Sequence, residues 1–217
     1  TPYRLGDQDL SLFFGQSSFS QYVVTRASNA VVVDPEVDLT LLGPLGCGIQ
    51  TGSGTVLNRL KPVVGESLVV FGCGAVGLSA IMAAKLTGCS QIIAVDIHAS
   101  RLALARELGA THQINGKEQD AVAVIKQITG KGAHYAVETT GVSAIVLQAV
   151  HAVKPLGTVA IVGFTGDITL NVQNDLMAEG KSLVGVIEGD AVPALFIPLL
   201  VQLYKQGKFP IDKLIAR

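Results

Sequence analysis

Leu68-Val69-Val70-Phe71-Gly72-Cys73-Gly74-Ala75-Val76-Gly77 is the stretch that decides the fold of this 217-residue chain. Its apolar run opens into a G-x-G-x-x-G string, a helix of small apolar residues follows, and a second apolar run, 91–95, ends on Asp96. A glycine string between a predicted strand and a predicted helix, with an acid closing the next strand, indicates a βαβ dinucleotide-binding unit. The alternative is a glycine-rich turn in another kind of α/β domain, with Asp96 only capping the next helix.

Each part of the glycine string has a physical reason to be there. Gly72 allows the tight turn out of the strand, Gly74 leaves room for a pyrophosphate, and Gly77 lets the helix pack closely on the sheet. Residues 75–76 begin a helix whose unpaired N–H groups and dipole favour phosphate. Asp96 can accept hydrogen bonds from ribose hydroxyls and would repel a 2′-phosphate, so the sequence favours NAD over NADP.

Predicted strands and helices alternate from Ser67 onward. Strands are predicted at 68–71, 91–95, 111–114, 134–138, 157–162 and 182–187, and helices at 75–87, 100–108, 118–129, 143–153 and 198–206. Ser100 is the expected N-cap of the second helix and Pro198 is expected in the first turn of the last. The alternation predicts an α/β fold, a doubly wound Rossmann sheet of six parallel strands.

The first 45 residues differ in character from the rest. Short strand-like runs at 19–24 and 30–33, separated by Ser, Asn and Asp-Pro turn chemistry, predict the tail of a β-rich domain. A glycine-dense junction at 43–48 and a connecting helix at 51–60 lead to the first strand of the sheet. We therefore expect two domains, 1–45 and 46–217, within a piece of a longer polypeptide, because both ends of the sequence look cut.

Composition limits the classes of partner. With a net charge of −1, the chain lacks the excess positive charge that binding to nucleic acid or an anionic membrane would need. The longest uncharged apolar stretch, 68–84, carries the glycine string and ends at Lys85, which argues against a membrane span. Three cysteines without a C-x-x-C pair, and no visible signal peptide, predict a reducing, cytoplasmic location.

Other kinds of chemistry lack support in the sequence. The four histidines, His98, His112, His134 and His151, have no metal-ligand spacing to one another. No nucleophile elbow with a Ser-His-Asp arrangement is present, so the sequence does not indicate a hydrolase.

Several segments together resemble the zinc-dependent medium-chain alcohol dehydrogenases. The segments are Leu45-Gly46-Cys47-Gly48-Ile49-Gln50-Thr51-Gly52, Val95-Asp96-Ile97, Glu107-Leu108-Gly109-Ala110, Glu138-Thr139-Thr140-Gly141 and Ile161-Val162-Gly163-Phe164. They follow the family's order and spacing over nearly the whole chain. Within the family, residues 13–19 (Phe-Phe-Gly-Gln-Ser-Ser-Phe) together with 42–52 look most like bacterial aryl-alcohol dehydrogenases.

This resemblance implies a GroES-like catalytic domain, of which 1–45 would be the C-terminal remnant, followed by the NAD-binding Rossmann domain at 46–217. Family members hold catalytic Zn²⁺ with two Cys and one His, and only Cys47 matches a ligand position. The other ligands belong to a region upstream of this sequence, so we expect Zn²⁺ in the full-length protein but not on this chain alone. The alternative for Cys47 is a small buried thiol at a tight turn.

The resemblance also assigns roles to further residues. Thr51 would lie against the nicotinamide as a catalytic residue beside Cys47, and Arg101 beside the adenosine. Thr139 and the segment Val162-Gly163-Phe164 end strands at the cofactor crevice, and backbone groups of 162–164 would bind the carboxamide. The alternatives are a plain helix-start hydroxyl at Thr51 and a solvated side chain at Arg101.

The function implied is transfer of hydride from an aromatic primary alcohol to NAD, giving the aldehyde, with zinc polarising the alcohol oxygen. Alternatives are a dehydrogenase of aliphatic or thiol-adduct alcohols, a zinc-free reductase, and an NAD-binding module without turnover. We expect this chain alone to bind cofactor without catalysis. An exposed apolar sixth strand, 183–187, predicts a homodimer or homotetramer.

Overall fold

The computed structural model of the protein describes residues 4–11 and 21–215. A six-stranded parallel sheet forms its centre, with the strand order β5-β4-β3-β6-β7-β8. The strands are β3 Ser67–Phe71, β4 Gln91–Asp96, β5 His112–Asn115, β6 Ala133–Glu138, β7 Val153–Ile161 and β8 Ser182–Gly185, and a small antiparallel pair, β1 Arg4–Leu5 and β2 Gln8–Asp9, precedes them. The six strands of the predicted Rossmann sheet are therefore confirmed, with bounds that differ by a few residues.

Helices cover both faces of the sheet. They are α1 Gly48–Gly54, α2 Ala75–Leu86, α3 Ala99–Leu108, α4 Ala121–Thr129, α5 Ser143–Ala152 and α6 Pro193–Lys205. Leu68 and Val70 of β3 point into a core shared with α1, α2, α3 and α6. Val69 and Phe71, which alternate with them, point into a second core shared with α4 and α5. This double burial explains why β3 reads as an unbroken apolar run.

Several predicted helix starts are wrong. Helix α4 begins at Ala121 rather than at residue 118, because the Asp120 side chain caps it. Helix α6 begins at Pro193, and Pro198 lies inside it. Pro193 already supplies the preset φ of a first turn, while burial of Ile197 and Leu200 outweighs the hydrogen bond that Pro198 cannot donate. Ser100 is not an N-cap but lies within α3, because Asp96 satisfies the N–H groups that precede this helix.

The connecting helix also differs from its prediction. Helix α1 begins at Gly48 rather than residue 51, and residues 55–60 continue it with π-type hydrogen bonding. Lys61 then takes a left-handed conformation with φ of 50° and ends the helix before Pro62.

The strand-like runs near the start of the chain are not strands where the structure describes them. Residues 21–26 and 30–33 are irregular, with one 3₁₀ turn, Ala27–Asn29, between them. Among the described residues these runs join neither of the two sheets, and Val31 and Val33 instead pack against the core. Residues 13–20 lie outside the described part of the chain, so the motif at 13–19 and the start of the 19–24 run have no structural outcome. The division into domains at residue 45 stays a prediction.

Across the described ranges, no helix is both long and apolar enough to span a lipid bilayer.

Candidate functional site

A cleft of about 560 Å³ opens at the carboxyl ends of β3, β4 and β6. This is the point where the strand order reverses, between β3 and β6, and such a switch point is where doubly wound sheets bind ligands. The cleft is lined by Phe71, Gly72, Gly74, Ala75, Val76, Val95, Asp96, Ile97, Arg101, Gly116, Thr139, Thr140, Val142, Ile145 and Gln148. Seven of the residues predicted to bind cofactor are thus brought together.

The three glycines of the string meet different constraints. Gly72 has a φ of +91°, and a Cβ there would lie 2.6 Å from the Thr139 hydroxyl oxygen. A Cβ on Gly77 would overlap the carbonyl oxygen of Gly72, so Gly77 lies beneath the loop and serves its packing. A Cβ on Gly74 would meet no protein atom within 4 Å, although Gly74 lines the cleft. The protein itself therefore leaves position 74 open on the side where a ligand would enter.

Asp96 organises this end of the sheet. Its Oδ2 accepts a hydrogen bond from the Cys73 N–H at 2.7 Å, and its Oδ1 accepts from Ile97 at 2.7 Å and His98 at 2.9 Å. A carboxylate can accept about four hydrogen bonds, so acceptor capacity remains for a ribose hydroxyl. Asp96 thus fixes the glycine loop and the turn before α3 while it lines the cleft. The predicted ribose role and the alternative helix-start role are compatible at this residue.

Charges around the cleft are mixed. The guanidinium of Arg101 lies 3.8 Å from Asp96 Oδ2, and about half of its side chain is exposed. The N-terminus of α2, with Ala75 and Val76 on the cleft wall, adds the positive end of a helix dipole. The wall next to β4 is therefore negative at Asp96, while a positive region for phosphate lies at the start of α2.

The loop after β6 is held by its own buried acid. Glu138 is fully buried, and its Oε1 accepts hydrogen bonds from the N–H and hydroxyl groups of Thr140. The Thr139 hydroxyl donates toward the Phe71 and Gly72 carbonyls at 2.9 and 3.1 Å, which ties the end of β6 to the end of β3. In sequence, Glu138 stands out only as part of a family motif; the signal for its positioning role is that it is the one acid of β6 and closes this strand.

The segment Val162-Gly163-Phe164 lies next to this loop but outside the cleft lining. The N–H groups of Val162 and Gly163 both donate to the Glu138 carbonyl, at 2.9 and 3.1 Å. A Cβ on Gly141 would overlap the Phe164 carbonyl, so the two turns touch through their backbones. The Phe164 side chain is fully exposed. Their predicted contact with the carboxamide stays a prediction.

Helix α1 carries Cys47 and Thr51 to the same end of the sheet. Cys47 is the residue before α1 and is exposed, whereas Thr51 is buried within the helix. Gly48 approaches the side chains of Ala75 and Val76, and a Cβ on Gly52 would overlap the Val76 carbonyl. Neither Cys47 nor Thr51 lines the cleft, but both sit on a helix packed against the start of α2.

A second acid that the sequence analysis missed lies against α1. The Oε2 of Glu188 accepts a hydrogen bond from Gln50 Nε2 at 3.0 Å and from the Thr51 hydroxyl at 3.3 Å. Burial raises the pKa of the Cys47 thiol, and the negative charge of Glu188 raises this pKa further. An acid directly after the last apolar strand, at its carboxyl end, was the signal that could have identified Glu188.

The residues present do not form a zinc site. Within residues 4–11 and 21–215, no group of three or more His, Cys, Asp or Glu side chains is arranged to hold a metal ion. Cys47 is a single exposed thiol, whereas a catalytic zinc site needs three protein ligands. The expectation that this chain alone does not hold Zn²⁺ stays a prediction.

The other reactive side chains are structural. Burial raises the pKa of Cys73 to about 12, so this thiol inside the glycine string stays protonated. Ser67, His134 and Glu66 form a cluster at the amino ends of β3 and β6, with Ser67 Oγ 2.8 Å from His134 Nδ1. Ser67 is buried, and the cluster lies at the opposite end of the sheet from the cleft. It therefore cannot act as a nucleophile on an external substrate.

The chain is similar to known alcohol dehydrogenases. Residues 75–205 match the family model described as zinc-binding dehydrogenase. The geraniol dehydrogenase of Castellaniella defragrans is 44% identical over 95% of this chain and 56% of its own length. The crystal structure of benzyl alcohol dehydrogenase from Acinetobacter calcoaceticus has a TM-score of 0.91 at 53% identity, over 94% of this chain and 57% of that one.

A zinc-binding-domain alcohol dehydrogenase from Burkholderia ambifaria also has a TM-score of 0.91, at 52% identity, over 94% of this chain and 56% of that one. This chain therefore spans little more than half the length of the relatives that it matches.

Proposed function

Because this chain belongs to the zinc-binding dehydrogenase family, we propose that it binds NAD and contributes to the oxidation of an aromatic primary alcohol to its aldehyde. The observation that carries the proposal is the meeting of Gly72, Gly74 and Asp96 in one cleft at the strand-order reversal. That arrangement combines an open backbone, a helix N-terminus and an acid, which are the groups that recognise a dinucleotide.

Residues of the chain would divide the work of holding the cofactor. The backbone around Gly74 and the start of α2 would bind the pyrophosphate, and Asp96 would accept from the adenosine ribose. Arg101 would cover the adenosine side, while the turns at Thr139 and 162–164 would border the nicotinamide half. When bound, NAD supplies the hydride acceptor; the protein orients it and excludes water.

The substrate class is proposed from the relatives. The benzyl alcohol dehydrogenase of Acinetobacter calcoaceticus supports an aromatic alcohol. The geraniol dehydrogenase of Castellaniella defragrans supports a second candidate, an aliphatic alcohol.

Cys47 is the one residue of this chain that we propose as a zinc ligand. In the complete protein, Cys47 would provide one ligand, and the remaining ligands would have to come from residues outside those that the structure describes. The negative charge of Glu188 nearby would favour a cation at this position.

Assembly and location are proposals of the same kind. Strand β8 lies at one end of the sheet order and, within the described residues, pairs with β7 alone, so its other edge could pair with a second copy in a homodimer or homotetramer. Three free cysteines support a reducing compartment, and we propose the cytoplasm.

Two measurements test the function. Titration of this chain with NAD and with NADP should show binding, tighter for NAD; failure to bind either would remove the proposal. Reduced-cofactor absorbance from the protein that contains this chain should rise faster with benzyl alcohol than with geraniol or ethanol. A faster rate with geraniol would select the aliphatic candidate, and turnover unaffected by a zinc chelator would exclude zinc.

A further inference from the structure

The turn after β8 has an unusual backbone. Glu188, Gly189 and Asp190 have successive φ values of 50°, 67° and 47°, and we refer to 188–190 as the strap. Left-handed φ is strained for residues other than glycine and persists only where the surroundings impose it. The strap contains two such residues in a row of three, so its shape is held in place by contacts.

Those contacts come from α1 and the π-type turn that follows it. Asn58 Nδ2 donates to the Gly189 carbonyl at 3.0 Å, and Arg59 lies 3.4 Å from Asp190. A Cβ on Gly189 would overlap the Gln50 carbonyl and would lie 2.8 Å from the Gly54 Cα. The strap is therefore pressed against the backbone of α1, and the Glu188 side chain is directed toward this helix.

That direction places the Glu188 carboxylate on Gln50 and Thr51. Gln50 Nε2 also donates to the Gly46 carbonyl at 2.9 Å, which fixes the amide with its nitrogen toward these acceptors. The buried Gln50 Oε1 then has no hydrogen-bond donor among the described residues. Likewise, no Lys, Arg or His of the described chain lies within 4 Å of the Glu188 carboxylate, in contrast to Asp190 with its Arg59. Where Glu188 meets Gln50 and Thr51, hydrogen-bond acceptors therefore outnumber donors, and the negative charge has no positive partner.

This unbalanced charge lies at the end of the sheet that would hold the nicotinamide. Dinucleotides cross the crevice from one half of a doubly wound sheet to the other. Asp96 and the glycine string belong to the half formed by β3–β5, so the second nucleoside must lie over β6–β8. Glu188 follows β8 at its carboxyl end, and its side chain is only partly buried.

We infer that Glu188 is a positioning residue whose unpaired carboxylate favours the cationic, oxidised nicotinamide over the neutral, reduced one. The inference rests on the proposed binding of NAD and adds to it a preference between the two redox forms. Oxidised nicotinamide carries a positive ring charge that the reduced form lacks, so a nearby carboxylate acts on only one of them. The carboxylate would raise the affinity for the oxidised form, the co-substrate of alcohol oxidation, relative to the affinity for the reduced form.

The test compares two variants that each remove one negative charge from the strap. Glu188→Gln keeps the size and an acceptor oxygen for Gln50 and Thr51, while Asp190→Asn removes the acid that Arg59 already neutralises. NADH affinity is measured by its fluorescence, and NAD⁺ affinity by competition, on the whole chain. We expect Glu188→Gln to shift the affinity ratio toward NADH by about three- to tenfold, the effect of a unit charge at a partly screened distance.

Asp190→Asn should leave the ratio within about twofold of the wild type, because its charge is already paired. Glu188→Asp retains the charge and should also leave the affinity ratio within about twofold of the wild type. Glu188→Ser removes the charge and should shift the ratio as Glu188→Gln does. An unchanged ratio in both Glu188→Gln and Glu188→Ser would overturn the inference while leaving NAD binding intact. An equal shift in Asp190→Asn would overturn it as well, since strap geometry would then be the cause. Failure of the wild type to bind either form would instead refute the proposed function.

Discussion

The backbone N–H of Cys73 donates to the Asp96 carboxylate across 2.7 Å, joining the middle of the glycine loop to the end of the neighbouring strand. The acid that would recognise the ribose therefore also fixes the loop that would recognise the pyrophosphate. The two halves of the proposed adenosine diphosphate site would share one side chain, so a change at Asp96 should affect both cofactor affinity and stability.

Asp96→Asn tests this double role. The amide nitrogen cannot accept a hydrogen bond, so at least one of three backbone N–H groups loses its partner, at a cost of about 1–3 kcal/mol in the free energy of unfolding. NAD affinity should fall about tenfold while NADP affinity falls less, because the carboxylate no longer repels a 2′-phosphate. Denaturant unfolding and cofactor titration measure the two effects.

Asp120→Asn is the matched control for that experiment. Asp120 caps α4 by accepting from the Ala123 N–H at 3.1 Å and does not line the cleft. Its loss should cost no more than about 1 kcal/mol of stability and leave the NAD to NADP ratio unchanged. A ratio that changes equally in both variants would mean that Asp96 does not read the ribose.

Alanine at Gly74 and at Gly77 should separate binding from folding. A Cβ at position 77 would overlap the Gly72 carbonyl, so Gly77→Ala should lower the free energy of unfolding by about 3 kcal/mol or more. A Cβ at position 74 meets no protein atom, and its φ of −77° suits any residue. Gly74→Ala should leave stability within about 1 kcal/mol of the wild type but weaken NAD at least about tenfold. Unweakened binding in Gly74→Ala would argue against a phosphate at this loop.

The three thiols should react in a fixed order. Cys47 is exposed, Cys89 is half-buried, and Cys73 is buried with its pKa raised to about 12. Iodoacetamide at pH 8, followed by peptide mass mapping, should label Cys47 first and leave Cys73 unlabelled in the folded chain. Glu188→Gln should speed labelling of Cys47, because the charge that raises its pKa is gone. Equal rates in wild type and variant would show that the carboxylate does not act on the thiol.

His134 should make stability fall in mild acid. The Ser67 N–H donates to His134 Nδ1 at 3.2 Å, so this nitrogen must be unprotonated. Burial and, to a smaller extent, Lys154 lower the folded pKa below 6.5, while Glu66 acts in the opposite direction. A base with a lowered folded pKa contributes stability above its unfolded pKa, and that stability is lost as the pH falls below about 6.5.

The measurement is the urea midpoint between pH 7.5 and 5. The wild type should lose stability over this window more steeply than His134→Gln, which starts lower by about 1 kcal/mol for its lost hydrogen bonds. His112→Gln removes a histidine elsewhere and should keep the wild-type slope. Parallel slopes in wild type and His134→Gln would remove His134 as the cause.

The sheet could be predicted from sequence because β3 and β4 are buried on both faces and therefore read as apolar runs between glycines. The runs at 21–24 and 30–33 are also apolar, but in the described chain no strand lies beside them. Composition alone does not predict whether a run will have a strand to pair with. The start of α6 was misjudged because two prolines compete for the first turn, and periodicity alone does not choose between Pro193 and Pro198.

Within the site, local pattern predicted the residues that act through the backbone, since glycine spacing is a direct requirement of loop geometry. Glu188 could not be found in that way. Its role depends on contacts with Gln50 and Thr51, which lie 138 and 137 residues away in sequence. Such a relationship exists only after the chain has folded.

The backbone-to-backbone packing at Gly77 and Gly189 has a consequence for how this protein can change over generations. These contacts join main-chain atoms, so they do not depend on which side chains project from the neighbouring strand ends. Exposed positions such as Phe164 and Ile187 are therefore free to vary, while the few glycines are not. Selection or laboratory evolution for a new substrate should accumulate substitutions at those projecting positions and leave the glycine contacts untouched.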